Sequence, residues 1–130
     1  QSYWYVIARW STSVGKDTSS FLNMAEGYGQ VYIVNDEDAI IAIDQNSGEV
    51  VWEQEAFARR KLTAPLAFSN YIFVGDDEGY LHAIAQRDGR LLGRIKVGGK
   101  GVRANLVVAD GVVYASDNKG ALHAFKVVLR

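Results

Sequence analysis

Two histidines are the first candidates for chemistry, because imidazole nitrogens bind metals and transfer protons. His82 and His123 are separated by the same spacing that separates Ile41 from His82. A position that accepts isoleucine is an apolar packing position, so we expect backbone groups or water to satisfy both imidazoles. A metal site would also need converging carboxylates or further imidazoles. We therefore predict no metal site and a structural role for both histidines.

Charged side chains form compact groups in three places. The acidic runs Asp36-Glu37-Asp38 and Asp76-Asp77-Glu78 lack the D-x-D/N-x-D/N-G pattern of a calcium loop and are typical of hairpin tips. The basic cluster Arg59-Arg60-Lys61 indicates either a solvated loop or a contact with an acidic patch of a partner. A partner contact in all three places is the functional hypothesis. Its residues are Arg59, Arg60, Lys61, Asp36, Asp38, Asp76, Asp77 and Glu78.

No arrangement of nucleophile and base is visible in the sequence. Lys16 and Asp17 beside Ser19 and Ser20 form no spaced triad, and the G-x-S-x-G motif is absent. The run 98–101 (G-G-K-G) lacks the first glycine and the Lys-Ser/Thr pair of a phosphate-binding loop. The absence of cysteine excludes thiolate catalysis, disulfides and zinc–thiolate sites. We predict that the chain is not an enzyme and binds no cofactor.

Composition narrows the classes of partner further. The chain has 130 residues, a formal net charge of -1 and no basic block, whereas a nucleic-acid surface needs clustered positive charge. The longest apolar runs are a few residues long, and a membrane-spanning helix needs roughly 20. We therefore predict an ordinary globular chain that binds no nucleic acid and does not span a membrane.

An internal repeat predicts the elements that carry these residues. Three segments align without a gap at a constant spacing, which places Tyr32, Phe73 and Tyr114 in the same phase. Each unit contains short β-branched and apolar runs separated by turn residues, such as 31–35 and 39–44 in the first unit. Helical periodicity is almost absent. We predict an all-β fold in which each unit is a four-stranded antiparallel propeller blade.

The number of blades indicates a larger parent protein. The predicted blades span about residues 20–55, 62–97 and 103–128, and the last lacks its outer strand. Residues from about 5 to 14 would form the outer strand of a preceding blade. Closed propellers have about 4 to 8 blades, so roughly three blades would leave apolar faces uncovered. We interpret residues 1–130 as a partial propeller whose missing strand comes from the N-terminus of the parent chain.

One segment resembles a known repeat. Residues 42–52 (A-I-D-Q-N-S-G-E-V-V-W) resemble the A-x-D-x-x-S/T-G-x-x-x-W repeat of quinoprotein-type propellers. This resemblance implies that Trp52 docks on the neighbouring blade and that Gly48 forms the hairpin. Trp10, which precedes Trp52 by close to one repeat, is similar in position and would dock in the same way. Gly93 follows Trp52 by one repeat, so the next blade departs from the pattern.

A second resemblance is more specific and covers about residues 30–128. Residues 62–66 (L-T-A-P-L), 74–82 (V-G-D-D-E-G-Y-L-H) and 88–90 (D-G-R) are similar to the C-terminal end of the BamB family. These are the propeller lipoproteins of the β-barrel assembly (BAM) complex in the outer membrane of Gram-negative bacteria. The resemblance implies the C-terminal part of a larger, eight-bladed PQQ-type propeller in the periplasm. A lipid attached upstream of this chain would anchor it to the outer membrane.

The same resemblance implies a function without catalysis. A chain of this family would belong to a scaffold subunit that supports the folding and insertion of outer-membrane proteins through protein–protein contacts. Its partners would be the periplasmic POTRA domains of BamA, other BAM subunits and unfolded outer-membrane protein substrates.

Two alternatives stay open. In the first, residues 1–29 either belong to the preceding blade or resemble the opening strand that closes the ring in the BamB family. The spacing between Trp10 and Trp52 is close to the repeat length, which favours the preceding blade. The chain is otherwise a fragment of a PQQ-dependent dehydrogenase propeller. That enzyme class would require a quinone at the propeller axis, calcium ligands and, in many members, a vicinal cysteine pair.

Overall fold

The computed structural model describes residues 5–15, 24–99, 101–102 and 106–128. These residues contain eleven β-strands and no helix, which confirms the predicted all-β fold. Within the same ranges, no helix has the length and apolar character needed to cross a membrane. Lys16, Asp17, Ser19, Ser20 and Lys100 lie outside the described residues.

The strands form three antiparallel sheets, which we call blade 1, blade 2 and blade 3. In each blade, every strand pairs with its neighbours in the sequence. Blade 1 consists of β1 (Ala25–Gly27), β2 (Gln30–Val34), β3 (Ile40–Asp44) and β4 (Val50–Gln54). Blade 2 consists of β5 (Leu66–Phe68), β6 (Tyr71–Gly75), β7 (Tyr80–Ala85) and β8 (Leu91–Lys96). Blade 3 consists of β9 (Val107–Ala109), β10 (Val112–Ser116) and β11 (Leu122–Lys126).

The first strand of blade 2 is shorter than the sequence predicts. Apolar runs before the turns at 69–70 and 110–111 predict strands over 62–68 and 103–109. In blade 2, β5 begins only at Leu66, and residues 103–105 of the other predicted strand lie outside the described residues. Before β5, the N–H of Thr63 donates to the Gly75 carbonyl at 2.9 Å, and its hydroxyl oxygen accepts the Gly75 N–H at 3.0 Å. Pro65 has no N–H to donate, so the regular ladder begins only after it.

In each blade, the side chain at one repeat position closes the hairpin between the second and the third strand. Asn35, Asp76 and Asp117 occupy this position, at equal intervals along the chain. In each case Oδ1 accepts the backbone N–H groups of the residues two and four positions later, at 2.9 to 3.0 Å. Three residues after the closing side chain, φ is positive, at 59° for Asp38 and 91° for Gly79. The turn chemistry of the sequence predicts this left-handed position.

The blades pack face to face through the apolar side chains of their middle strands. The core between blades 1 and 2 contains Tyr32, Val34, Ile40, Ala42, Ile72, Val74 and Ile84. The core between blades 2 and 3 includes Phe73, Leu81, Val113 and Ala115. In blades 1 and 2 the middle strands are buried along nearly their whole length, and they lose the alternation of apolar and polar residues that a one-sided sheet shows. In blade 3 burial alternates along β10 and β11, as in a sheet covered on one face.

Residues 5–15 lie on the free face of blade 1 and carry no strand. Trp10 and Val14 pack against Ile33 and Ile41. Asn35 Nδ2 donates to the Val14 carbonyl at 3.0 Å. The outer strand of a blade pairs with the third strand of that blade, and the described strands include none paired with residues 5–15. The assignment of residues 5–14 to a preceding blade therefore stays a prediction.

Candidate functional site

The three predicted contact groups lie together at one end of blades 1 and 2. The connection between β4 and β5 contacts the hairpin tips of both blades. On one side, the N–H groups of Lys61 and Leu62 donate to the carboxylate oxygens of Asp38 at 3.2 and 3.0 Å. On the other side, the N–H of Asp77 donates to the carbonyl oxygen of Arg60 at 2.9 Å. These bonds tie residues 36–38, 57–61 and 76–78 into one region, which we call the tip surface.

Opposite charges within the tip surface are paired with each other. Arg60 Nη1 lies 3.3 Å from Asp76 Oδ2 and 3.5 Å from Glu78 Oε2. The side chain of Asp76 is 0% exposed. The prediction that Asp76 contacts a partner is therefore wrong, because a carboxylate without solvent access that already binds Arg60 cannot reach a second protein. Arg59 and Lys61 are exposed, and the side chain of Glu78 is 60% exposed.

The connection in the tip surface has an unusual backbone conformation. Arg59 has a φ of 66° and Lys61 a φ of 53°, in the left-handed region that residues other than glycine rarely adopt. Such a conformation persists only where the surroundings over-determine it. Here the hydrogen bonds to Asp38 and from Asp77 supply that constraint. The backbone of the tip surface is therefore fixed by the chain itself.

His82 is bound by a carboxylate instead of by backbone or water. Its Nε2 lies 2.6 Å from Asp76 Oδ2, and its ring centroid lies 4.5 Å from that of Phe57. An ionised carboxylate only accepts hydrogen bonds, so Nε2 carries the proton. His123 and Asp117 repeat the arrangement in blade 3 at 2.9 Å. The expected backbone or water partner is therefore wrong for Nε2, and each histidine is held by the residue that closes its own hairpin.

The sequence carries a signal for this pairing. In blade 1 the two repeat positions hold Asn35 and Ile41, whereas both other blades hold Asp and His. The carboxylate thus occurs in the units where an imidazole follows on the next strand. Asparagine still closes the turn through its Oδ1 in blade 1, so the turn alone does not require an acid.

The two paired carboxylates are held in the ionised form. Burial acts to raise the pKa of Asp76, but hydrogen bonds from His82 and from two backbone N–H groups outweigh burial and hold that pKa below its usual 3.8. The hydrogen bond from His123, with two backbone N–H groups, lowers the pKa of Asp117 from 3.8 to about 2. Groups of three or more His, Cys, Asp or Glu side chains that could hold a metal ion do not occur among the described residues.

Trp52 of β4 joins blade 1 to blade 2. Its Nε1–H donates to the Gln86 carbonyl at 2.9 Å. Its ring lies on Gly89, where an added Cβ would stand 2.4 Å from a ring carbon. Trp10 makes the same contact one unit earlier, donating to the Gln45 carbonyl at 2.8 Å. This is the kind of docking that the quinoprotein-type repeat implies, and any side chain at Gly89 would obstruct it.

The seam between blades 2 and 3 is built differently. Gly93 occupies the position that corresponds to Trp52, and among the described residues, apart from its two chain neighbours, no atom lies within 4 Å of where its Cβ would stand. Beside it lies a mostly apolar cleft of about 180 Å³, whose lining includes Leu81, Val113 and Phe125. The departure predicted at Gly93 thus leaves space where the preceding seam holds an indole ring.

Comparison with known families decides which propeller this is. A family model described as "Outer membrane protein assembly factor BamB" matches residues 8–67 and 36–128. The chain belongs to the BamB family. The resemblance carried by residues 62–90 is therefore confirmed.

Individual BamB proteins agree with the family match. "Outer membrane protein assembly factor BamB" of Pseudomonas aeruginosa is 37% identical over 112 residues, which are 86% of this chain and 30% of that protein. The crystal structure of BamB from Moraxella catarrhalis is similar with a TM-score of 0.75 and 25% identity, over 80% of this chain and 31% of that one. The propeller fold is thereby confirmed, and the chain spans about 30% of the BamB proteins it matches.

The fold is shared more widely than the BamB family. A quinohemoprotein alcohol dehydrogenase from Pseudomonas putida HK5 is similar with a TM-score of 0.62 and 16% identity, over 75% of this chain and 17% of that one. At such low identity the likeness shows the fold alone.

Gln86 is a buried residue of this BamB-family chain that motif analysis does not find. Its Nε2 donates to the carbonyls of Ser69 and Tyr71 at 3.0 and 2.9 Å. The Tyr32 hydroxyl lies 3.2 Å from its Oε1 and 2.9 Å from the Gly27 carbonyl, so the two acceptors share that donor. Burial is the main cause that raises the pKa of Tyr32 to about 12, so this hydroxyl remains a donor. The sequence signal for Gln86 is Gln45, the glutamine one unit earlier, whose backbone carbonyl also accepts a hydrogen bond from a tryptophan side chain.

Proposed function

We propose that this chain is part of a non-catalytic scaffold subunit that supports the folding and insertion of outer-membrane proteins through protein–protein contacts. The match of the BamB family model to residues 8–67 and 36–128 carries this proposal. The curated relatives are named outer membrane protein assembly factors. Because the chain spans about 30% of such a relative, it would contribute blades to a scaffold that acts as a whole propeller.

The geometry of the polar residues supports binding over catalysis. Asp38 holds the β4–β5 connection, and Asp76 and Asp117 each close a hairpin and hold a histidine. A general acid or base must be free to exchange a proton with a substrate, whereas these carboxylates are committed to the protein itself. The alternative of a PQQ-dependent dehydrogenase rests on a likeness of fold at 16% identity, so no specific observation favours it.

Location and partners follow from the same proposal. The parent protein would lie in the periplasm of a Gram-negative bacterium, held at the outer membrane by a lipid anchor upstream of these residues. It would bind the POTRA domains of BamA, other BAM subunits and unfolded outer-membrane proteins. The net charge of -1 supports protein partners over nucleic acid.

Within this chain, the tip surface is the proposed contact. Its backbone is already fixed, and the side chains of Arg59, Lys61 and Glu78 are exposed. Four other predicted contact residues are partly exposed: Arg60, Asp36, Asp38 and Asp77. Charges of both signs on a fixed loop suit a partner with a complementary charge pattern, which acts mainly on the rate of association.

The parent propeller is proposed to have eight blades. In this arrangement residues 20–55, 62–97 and 103–128 form three blades at the C-terminal end of the parent, and the parent's N-terminus supplies the outer strand of the last one. Residues 5–14 would be the outer strand of the blade before, as the spacing between Trp10 and Trp52 indicates. In the alternative, residues 1–29 close the ring, so they would pair with the third strand of a different blade.

A genetic test addresses the function. Deletion of the gene should lower the abundance of outer-membrane β-barrel proteins, and the full-length protein supplied in trans should restore it. Tagged full-length protein should co-purify with BamA. Normal β-barrel levels in the deletion strain, together with no co-purification, would overturn the scaffold proposal.

A matched pair of variants tests the tip surface separately. Reversing the charges of Arg59 and Lys61 together should slow association with BamA and weaken its salt dependence, with little effect on dissociation. The control reverses Arg87 and Arg90, two exposed arginines on the hairpin at the opposite end of blade 2. Equal kinetics for both double variants would exclude the tip surface as the contact and leave the scaffold role untouched.

A further inference from the structure

A partly open pocket of about 310 Å³ lies between the β4–β5 connection and the outer strands of blade 2. Its walls are Ala56, Phe57, Arg60, His82, Leu91, Gly93 and Arg94. A volume of this order is at the lower end of the range found for small-ligand sites, roughly 300 to 1,000 Å³. The pocket is therefore large enough for one ring-sized group.

Positive charge dominates the polar lining of this pocket. Arg94 pairs with His82 across the β7–β8 ladder, and its guanidinium lies 4.3 Å from the centre of the Tyr80 ring. Unlike Arg60, Arg94 makes no ion pair with a carboxylate among the described residues. Lys96 also lies over the Tyr80 ring, at 4.6 Å.

The balance of charge around the pocket favours an anion. The cations in this region are Arg60, Arg94 and Lys96, and the carboxylates of Asp76 and Glu78 both pair with Arg60. Among these five side chains, one positive charge is left over. A guanidinium binds a carboxylate through two parallel hydrogen bonds, which makes Arg94 the natural anchor for such a ligand.

The rest of the lining is apolar. Phe57 is 4% exposed and packs on the His82 ring, and Leu91 and Ala56 extend the same wall. His82 Nε2 is committed to Asp76, so the imidazole is held in one orientation beside the cavity. An anion bound to Arg94 would therefore have an aromatic and aliphatic surface next to it.

Propeller packing does not require this lining. Blade 1 has the equivalent cross-strand pair one repeat earlier, and there Ile41 lies opposite Glu53. Blade 1 thus has an apolar residue and an acid at the two positions that His82 and Arg94 occupy in blade 2. The imidazole recurs as His123 in blade 3, whereas Arg94 stands where blade 1 has an acid, so it is this guanidinium that points to a use beyond holding the sheet.

We propose that the pocket between the β4–β5 connection and strands β7 and β8 binds a carboxylate carried on a ring-sized apolar group, with Arg94 as the anion anchor. Two sources have this chemistry: a free aryl or alkyl carboxylic acid, and the last residue of a polypeptide with an apolar side chain. The pocket chemistry does not depend on the scaffold role, so a failed titration leaves the genetic test above unaffected.

Titrations of the full-length protein, followed by the amide NMR signals of Phe57, His82 and Arg94, test the proposal. The probes are 3-phenylpropionate and its neutral amide, 3-phenylpropionamide. The acid should shift these signals in a saturable way at millimolar concentration, and the amide should bind at least about tenfold more weakly, because a charged hydrogen bond is lost. Equal binding of acid and amide, or no saturable shift with the acid, would overturn the proposal.

A matched pair of variants locates the anchor. Arg94→Gln should weaken binding of the acid about tenfold, while Arg90→Gln, an exposed arginine outside this pocket, should leave it unchanged. Unchanged binding to the Arg94 variant would overturn the assignment. An acetylated tetrapeptide that ends in Phe, with a free or an amidated C-terminus, separates the sources. Tighter binding of the free-ended peptide than of 3-phenylpropionate supports a chain end, and the reverse order supports a small acid.

Discussion

Replacement of Trp52 by alanine should be the most costly truncation among the outer-strand residues. The indole stacks on Tyr32 with centroids 6.0 Å apart, lies on Gly89 and donates to the Gln86 carbonyl at 2.9 Å. The variant removes the ring from the seam and leaves that carbonyl without its donor. The consequence should be a weaker junction between blades 1 and 2.

The magnitude follows from the burial of the ring. Full burial of an aromatic side chain covers about 150–250 Å², which at about 25 cal/mol per Å² corresponds to roughly 4–6 kcal/mol. Trp52 is only partly buried, so about half of that value applies. The lost hydrogen bond adds about 1 kcal/mol. We expect the free energy of unfolding to fall by about 3–4 kcal/mol in total.

Urea denaturation of the full-length protein measures this loss, with Trp52→Phe as the control. Phenylalanine keeps a ring on Gly89 but has no N–H, so it should lose roughly 1–2 kcal/mol. A loss under about 1 kcal/mol for Trp52→Ala would mean that the indole does not hold the seam, and the docking role of Trp52 would have to be abandoned.

Three further predictions concern pH, association and cofactors. Asp117, whose pKa is about 2 when folded and 3.8 ordinarily, should stabilise the fold above pH 4 and lose that effect as the pH falls towards 2. The gap in urea midpoint between the wild type and Asp117→Asn should therefore close over this range, and a gap that persists at pH 2 would contradict the pairing with His123. Residues 1–130 produced alone should self-associate, because Val6 is 101% and Leu122 71% exposed, and sedimentation as a monomer at high concentration would oppose this. The full-length protein should retain no chromophore after incubation with pyrroloquinoline quinone and calcium, and stoichiometric retention in absorbance spectra would favour the dehydrogenase class.

The repeat made most of the fold predictable from the sequence. A constant spacing between units, seen in Tyr32, Phe73 and Tyr114, shows which residues are equivalent, so one recognised hairpin predicts the others. The positive φ at Asp38 and Gly79 follows from turn chemistry alone. The start of β5 was less predictable, because Thr63 satisfies Gly75 from outside the regular ladder.

The candidate site was less predictable than the fold, because sequence spacing does not show where a charge is used. Asp76 belongs to an acidic run and was expected at a surface, yet it is buried between His82 and Arg60. Its contact with Arg60 depends on the path of the β4–β5 connection, which has no periodicity. The pairing with His82 was accessible in principle, since Asn35 and Ile41 replace both partners together in blade 1.

The seam between blades 2 and 3 shows that docking depends on a set of residues. Trp10 and Trp52 each meet a glutamine and a glycine at matched positions of the next unit. At the seam between blades 2 and 3, the three corresponding positions hold Gly93, Val127 and Arg130. Loss of the glycine agrees with loss of the tryptophan, because an indole needs a residue without a Cβ beneath it. The change from glutamine to valine is not explained in this way, since the acceptor is a backbone carbonyl that any residue supplies. At the tip end, by contrast, the repeat is kept: the N–H of Asn118 donates to the Gly101 carbonyl at 2.9 Å, as the N–H of Asp77 does to Arg60. Blade 3 is thus fastened to blade 2 at the tip end by the same backbone bond as its neighbours, while its outer edge depends on apolar contacts around a cleft.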